Sequence, residues 1–280
     1  MKLTFLGTAA ATSFPLTFCR CENCENARKY KGKSIRKRSS ALVDDKILID
    51  FCPDFVTALN TYDKDITKIE ILLQTHPHSD HFDGGHFVTR WSEYAAKNLP
   101  HLRIVASQKC LERMSEMIKA NENIDIFSKS WQKDLNISLC PLEHGQTTEI
   151  DDYFITAIES LHSVSQGSVL FLIEREGKKI LYATDTVELS DKALEALSGQ
   201  NIDCVVLDHT YGNVENSDGH LNEKKFKEQL LRLEEVGAIR DTTAVYATHI
   251  SHEGCAYHEE MERQAGDSYK VAYDGLEIEI

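Results

Sequence analysis

The feature that most constrains this chain is one ten-residue stretch, Thr75-His76-Pro77-His78-Ser79-Asp80-His81-Phe82-Asp83-Gly84. It reads His-x-His-x-Asp-His. Directly before it, Ile69-Glu70-Ile71-Leu72-Leu73-Gln74 is a short apolar run of the kind that makes a buried strand. The ligand-type side chains therefore sit in a loop at a strand's end. Packing gives no reason for three imidazoles and a carboxylate within six residues. Neutral imidazole and carboxylate are good donors to zinc, manganese or iron. His76 and His78, two apart in extended backbone, point to one side and can share an ion. Asp80 and His81 lie just beyond and can turn toward a second ion.

Two ions need more ligands than one loop supplies, and strand ends elsewhere are the places to look. His162 follows the apolar run that ends at Leu161, Asp185 follows Ile180-Leu181-Tyr182-Ala183-Thr184, and His249 follows Ala244-Val245-Tyr246-Ala247-Thr248. In each case a strand stops at a ligand-type residue. His209, in Asp208-His209-Thr210, ends a further strand and is a candidate to line the pocket. His86, His101, His144 and His258 read as surface or locally hydrogen-bonded residues.

Of eight cysteines, Cys19, Cys21 and Cys24 are clustered and five are scattered. The start Met1–Thr8 leads straight into a strand-turn pattern, so it does not read as a signal peptide and the expected compartment is the cytoplasm. There the cluster points to metal before disulfides. Cys110, Cys140 and Cys204 read as buried small side chains. The segment 9–38 has no sustained period, and a loop this long is functional or tied down. The basic run Arg28–Arg38 within it reads as a solvated face or as a grip on an anionic substrate. A net charge of -14 speaks against a non-specific nucleic-acid surface or an anionic membrane. No apolar run approaches membrane-spanning length.

The expected elements begin with a strand at 3–6 and a hairpin of 40–43 with 47–50. A short helix opened by Pro53 runs to Tyr62, the 69–74 strand follows, and a helix spans 85–98. Strand 102–106 precedes a helix capped by Ser107, and 121–150 is mixed. Strands at 154–159, 169–174 and 179–183 follow. Helix 190–197 leads to strand 204–207, helix 222–236 to strand 244–247, then come a short helix near 257–264 and a strand at 271–273. No repeat or linker divides the chain. The expected fold class is α/β (α+β): one domain over 1–280, with two packed sheets and helices on both outer faces.

These motifs, in this order, resemble the metallo-β-lactamase superfamily over essentially the whole length. The resemblance implies an αββα sandwich with a dinuclear site at one edge of the sheets. Carried onto this chain, it implies His76, His78 and His162 on one divalent ion (manganese, zinc or iron), Asp80, His81 and His249 on the other, and Asp185 between them. It also implies a water activated by both ions as nucleophile, with Asp80 taking part in catalysis. Within the superfamily, Cys19-x-Cys21-x-x-Cys24 with Thr248-His249-Ile250-Ser251-His252 is similar to the PhnP-type cyclic phosphodiesterases. That similarity implies a structural zinc on Cys19, Cys21, Cys24 and His252; Cys255, three residues on, is an alternative fourth ligand. His220, in Ser217-Asp218-Gly219-His220-Leu221-Asn222, resembles the family histidine that protonates the leaving oxygen, and a helix-capping loop histidine is the competing reading.

In the lactam-hydrolysing branch the second ion typically has a cysteine ligand; here Asp80 and Asp185 supply oxygen, which suits phosphate esters. The leading expectation is hydrolysis of a small phosphodiester, a cyclic ribose phosphate; the PhnP-type resemblance implies a phosphoribosyl cyclic phosphate. One alternative is a tRNA 3′-processing endonuclease, whose RNA-gripping arm would lie between the Asp and final His motifs; no such insert is visible between Asp185 and His249. The other is a non-catalytic zinc module, against which the intact ligand set speaks. A cofactor-biosynthesis branch shares the cysteine cluster, so that cluster does not choose the substrate. A homodimer is an allowed assembly, though no segment marks an interface.

Overall fold

The computed structural model describes residues 1–280. Its strands form two seven-stranded sheets. The first contains β1 (Lys2–Gly7), β2 (Ser40–Val43), β3 (Ile47–Ile49), β4 (Ile71–Leu73), β5 (Leu102–Ala106) and β6 (Ile137–Pro141). The second contains β7 (Thr147–Ile150), β8 (Tyr153–Glu159), β9 (Val169–Arg175), β10 (Lys178–Ala183), β11 (Cys204–Asp208), β12 (Ala244–Thr248) and β13 (Lys270–Val271). The last strand, β14 (Glu277–Glu279), returns to the first sheet and pairs with β1. The sheet orders are β14-β1-β2-β3-β4-β5-β6 and β13-β12-β11-β10-β9-β8-β7. Both sheets are mixed: β3 to β6 and β10 to β13 are parallel, and the remaining pairs are antiparallel.

Period-two alternation divides the apolar residues among three layers. Ile47, Ile49, Ile71 and Leu73 join Ile180, Tyr182, Cys204 and Val206 in a core of 23 residues between the sheets. Their neighbours Leu48 and Leu72 face the opposite way, into a core of 24. Helices α2 (Phe55–Thr61), α3 (Gly85–Val88), α4 (Gln108–Glu122) and α5 (Lys129–Leu135) contribute to it. Leu181, Val205 and Leu207 enter a matching core of 24 under α6 (Asp191–Leu197), α7 (Glu223–Glu235) and α8 (His258–Ala265). Three apolar layers of nearly equal size are what a four-layer αββα sandwich requires, so the expected fold class holds.

Several local expectations need correction. The segment 9–38 contains a helix, α1 (Glu22–Tyr30), entered at Cys21 and burying Cys24 and Ala27. Its basic run divides: Lys29, Lys31 and Lys33 are exposed, as a solvated face would have them, while the arginines bind the loop to the rest of the fold. Arg28 donates to the carbonyls of Leu16 and Cys19. Arg36 is buried and donates to Thr8 and to the Ala272 carbonyl, and Arg38 to Ala11 and Asp54. The three arginines tie the loop to the sandwich because backbone carbonyls and the Thr8 and Asp54 side chains lie within reach of their donors. The helix expected over 85–98 stops at Val88: beyond Trp91 the chain has no apolar face to bury, and Ala95 and Asn98 adopt positive φ. The stretch 121–150 resolves into α5, β6 and β7. His258 is buried beside Arg36 instead of lying at the surface, and Cys140 is only partly buried. Ser107 does cap α4, accepting from the Cys110 amide.

Candidate metal centre

The parallel strands deliver their C-terminal ends to one edge of the sandwich. β3 leads to Asp50, β4 leads to Thr75 and His76, β10 leads to Asp185, β11 ends at Asp208, and β12 leads to His249. β8 runs in the same direction as β10 and leads to His162. Asp50, Asp185 and His249 have φ of 63°, 49° and 60°. Left-handed backbone at a non-glycine residue costs roughly 1–3 kcal/mol, and it persists where surrounding structure dictates it. Here each sharp turn ends a strand at a residue that faces the neighbouring strand ends.

The side chains meet at short range. His76 Nε2 is 2.9 Å from His78 Nδ1 and 3.0 Å from Asp185 Oδ2. His162 Nε2 is 3.1 Å from Asp185 Oδ1. His81 Nε2 is 3.2 Å from Asp80 Oδ2, 3.1 Å from Asp185 Oδ2 and 3.4 Å from His249 Nε2. Bonds of about 2.0–2.1 Å to a tetrahedral zinc put neighbouring ligand atoms about 3.3 Å apart. The separations bracket that edge length. Asp185 Oδ1 is buried and has no hydrogen-bond partner, although two imidazole nitrogens lie close to it. An orphaned carboxylate oxygen facing ring nitrogens fits a shared cation. The residues present therefore fit two ions, with Asp185 common to both groups.

Hydrogen bonds behind the centre fix which ring nitrogen faces it. Asp50 Oδ2 accepts from His81 Nδ1 at 2.6 Å. The Thr75 hydroxyl donates to Asp50, so its oxygen accepts from His76 Nδ1 at 3.0 Å. The Thr210 hydroxyl likewise donates to Asp208 Oδ2 at 2.8 Å and accepts from His249 Nδ1 at 2.7 Å. His162 Nδ1 donates to the Gly219 carbonyl at 2.9 Å. In all four rings Nδ1 is committed and Nε2 is aimed inward, an arrangement that orients ligands and raises their basicity. The two Asp–Thr–His relays, one from each sheet, leave only a faint trace in the sequence: Asp50 directly follows one strand and Asp208 ends another.

Electrostatics agree. Burial lowers the pKa of His76, His78 and His162, keeping them neutral. Burial opposes charge on Asp80 and Asp185 too, but the surrounding histidines hold both well below the usual carboxylate range. Burial alone would lower His249; Asp185, Asp208 and Asp80 instead lift it to about 10, and Asp80 and Asp50 raise His81 in the same way. Four buried carboxylates demand positive charge at this edge, and incoming cations would displace the protons that these rings hold.

His220 joins the centre. Its Nδ1 is 3.2 Å from Asp208 Oδ2 and 3.2 Å from Asp185 Oδ1, and its ring stacks on His249 at 5.3 Å. Asp208 is fully buried; burial would raise its pKa, but His220 and His249 hold it far below normal. His209, in contrast, does not line the pocket. It turns back under α7, where Nε2 donates to Glu223 at 2.7 Å, because the flanking Asp208 and Thr210 occupy the inward direction.

A second cluster lies alongside. Cys19, Cys21, Cys24 and His252 bring ligand atoms within 4.8 Å of one another. His252 Nδ1 is 3.6 Å from Cys19 Sγ and 3.5 Å from Cys21 Sγ. A tetrahedral zinc with sulfur at about 2.3 Å and nitrogen at about 2.0–2.1 Å spaces S and N about 3.6 Å apart. Burial pushes the Cys24 thiol up to about 12, so only a cation would draw it into thiolate form. Cys255 is elsewhere, its thiol donating to the carbonyls of His209 and Thr210.

Comparison with known proteins agrees with this architecture. The sequence profile of the β-lactamase superfamily domain matches residues 45–250. A diphosphatase of the PhnP family superposes with a TM-score of 0.73 at 23% identity, covering 100% of this chain and 97% of the other. Zinc-bound PqqB from Methylobacterium extorquens gives 0.75 at 18%, covering 100% of both chains. The short form of human tRNase Z gives 0.64 at 16%, covering 100% and 99%. No curated protein is similar enough to count as a match. With its motifs, two-sheet sandwich and paired ligand groups, the chain belongs to the metallo-β-lactamase superfamily of hydrolases.

Proposed function

We propose that this chain, acting as one domain over its 280 residues, is a metal-dependent phosphodiesterase that hydrolyses a small cyclic ribose phosphodiester. The observation that carries the reading is Asp185 between the two ligand groups, with the His220–Asp208 pair beside it. His76, His78, His162 and Asp185 would hold one ion, manganese or zinc or iron, and Asp80, His81, His249 and Asp185 the other. When bound, such ions supply Lewis acidity toward phosphate oxygens and lower the pKa of a water. Asp80, kept ionised, would orient that water and accept a hydrogen bond from it. Asp208 accepts from the Nδ1–H of His220 and fixes the orientation of the ring, so that its other ring nitrogen would give a proton to the leaving oxygen. Cys19, Cys21, Cys24 and His252 would carry a structural zinc that pins the 9–38 segment against the pocket wall.

The diphosphatase, PqqB and tRNase Z neighbours share the fold, so the choice among substrates rests on the site. The stretch between Asp185 and His249 is taken up by α6, β11, α7, β12 and their connections, with no further helix or strand from which to build an RNA-gripping arm. The test is turnover by chain reconstituted with manganese or zinc, offered a five-membered cyclic ribose phosphate or a 3′-extended precursor tRNA. Cleavage of the cyclic ester alone is expected. Cleavage of the tRNA alone would overturn the reading.

A further inference from the structure

The outer face of the first sheet is covered unevenly. Leu48, Leu72 and Leu102, on the neighbouring strands β3, β4 and β5, turn away from the second sheet. Helix α3 ends at Val88, and the chain returns to β5 through one 3₁₀ turn (Ser92–Tyr94) and irregular backbone. A cavity of about 310 Å³ remains, lined in part by these three leucines. Phe51 and Phe55 at the start of α2, and Ile66 and Ile69 before β4, add to its apolar lining. It shares no residue with the pocket over the metal centre.

The charged part of the lining has one sign. The chain carries 45 acidic against 31 basic residues, yet no carboxylate lines this cavity, while Arg90 and Lys97 both do. The Arg90 guanidinium donates through Nε to the Leu135 carbonyl at 3.0 Å and through Nη2 to the carbonyls of Pro100 and Asn136. Its Nη1 has no protein partner. No carboxylate answers its charge, and burial pushes its pKa down to about 10. Lys97 is exposed and joins no ion pair. A partly buried cation without a counter-charge is destabilising, and an anion supplied from outside relieves it.

We infer that this cavity is a second binding site, for a small amphipathic carboxylate whose chain lies on Leu48, Leu72 and Leu102 and whose head pairs with Arg90 and Lys97. The volume of 310 Å³ equals that of about ten liquid waters, room for about ten heavy atoms, which is the size of octanoate. The site is independent of the phosphodiesterase reading.

The test is calorimetric titration of the metal-loaded full chain with octanoate. One molecule per chain should bind, with a dissociation constant below about 1 mM. Hexanoate should bind roughly tenfold or more weakly, because each lost methylene costs about fourfold. 1-Octanol keeps the chain without the charge and should also bind roughly tenfold or more weakly. Excess acetate offers the metal centre the same head group without the chain, and it should not compete. Lys97→Glu and Ile66→Glu both change exposed residues of the lining and place a carboxylate there. Each should weaken octanoate binding by roughly tenfold or more, with Tm confirming the fold. If Ile66→Glu does not fold, Lys97→Glu decides. Failure of octanoate to bind, equal binding of octanol, displacement by acetate, or unchanged affinity in a folded variant would overturn the inference.

Discussion

Asp50→Asn tests whether the hydrogen bonds behind the centre dictate its metal binding. Asp50 is fully buried. Its Oδ1 accepts from the Thr75 amide at 2.8 Å and from Gln74 Nε2 at 3.1 Å, and its Oδ2 accepts from His81 Nδ1 at 2.6 Å. An asparagine must keep its carbonyl oxygen toward the two N–H donors, so its amide nitrogen faces His81. Two donors then oppose each other unless His81 moves its proton to Nε2. That tautomer removes the lone pair aimed at Asp80 and Asp185. Loss of such a supporting partner weakens metal affinity by about 10–100-fold, or about 1.4–2.8 kcal/mol. The fold should survive, since the amide pairs with Thr75 and Gln74 are retained. Asp50→Ala should do worse, leaving buried donors unpaired at about 1–3 kcal/mol each. The assay is metal content after dialysis against graded chelator, with thermal melting of the metal-free chains alongside. Two ions retained by Asp50→Asn with unchanged affinity would refute the reasoning.

Three further outcomes are expected. His220→Ala should lower kcat by about 10²–10⁴-fold, the usual worth of a positioned acid, with ion content measured by mass spectrometry unchanged; loss of an ion would make His220 a ligand instead. Cys21→Ser should lose one zinc per chain and lower Tm by on the order of 5–10 °C, because a hydroxyl does not replace a thiolate; an unchanged Tm and zinc count would remove the structural site. Stability should also depend on the His209–Glu223 pair. Burial opposes the His209 charge, but Cys255 and Glu223 raise its pKa to about 9, while Glu223 is depressed to about 2. The His209 contribution is therefore complete below about pH 6.5, its unfolded value, and lost as pH rises through 9. The Tm advantage over His209→Gln should shrink across that window, and a constant difference would show that the pair is not charged.

The sequence by itself determined which residues are candidates for the centre. His76, His78, Asp80 and His81 occupy one short loop, and His162, Asp185 and His249 each follow an apolar run, so local spacing and strand periodicity were enough to place them. The same holds for Cys19, Cys21 and Cys24, and the layer order follows from the succession of strands and helices along the chain. Tertiary structure decided what needs two distant segments at once. Asp50 and Asp208 look like ordinary strand-end carboxylates until β3 and β11 are seen beside His81, His249 and His220. Arg36 reads as one more surface charge until Thr8, Ala272 and His258 close around it. His209 and His249 both follow strands, yet one faces α7 and the other the centre. That choice is made by the backbone turn and the packing of neighbouring elements, and spacing along one chain carries no record of either.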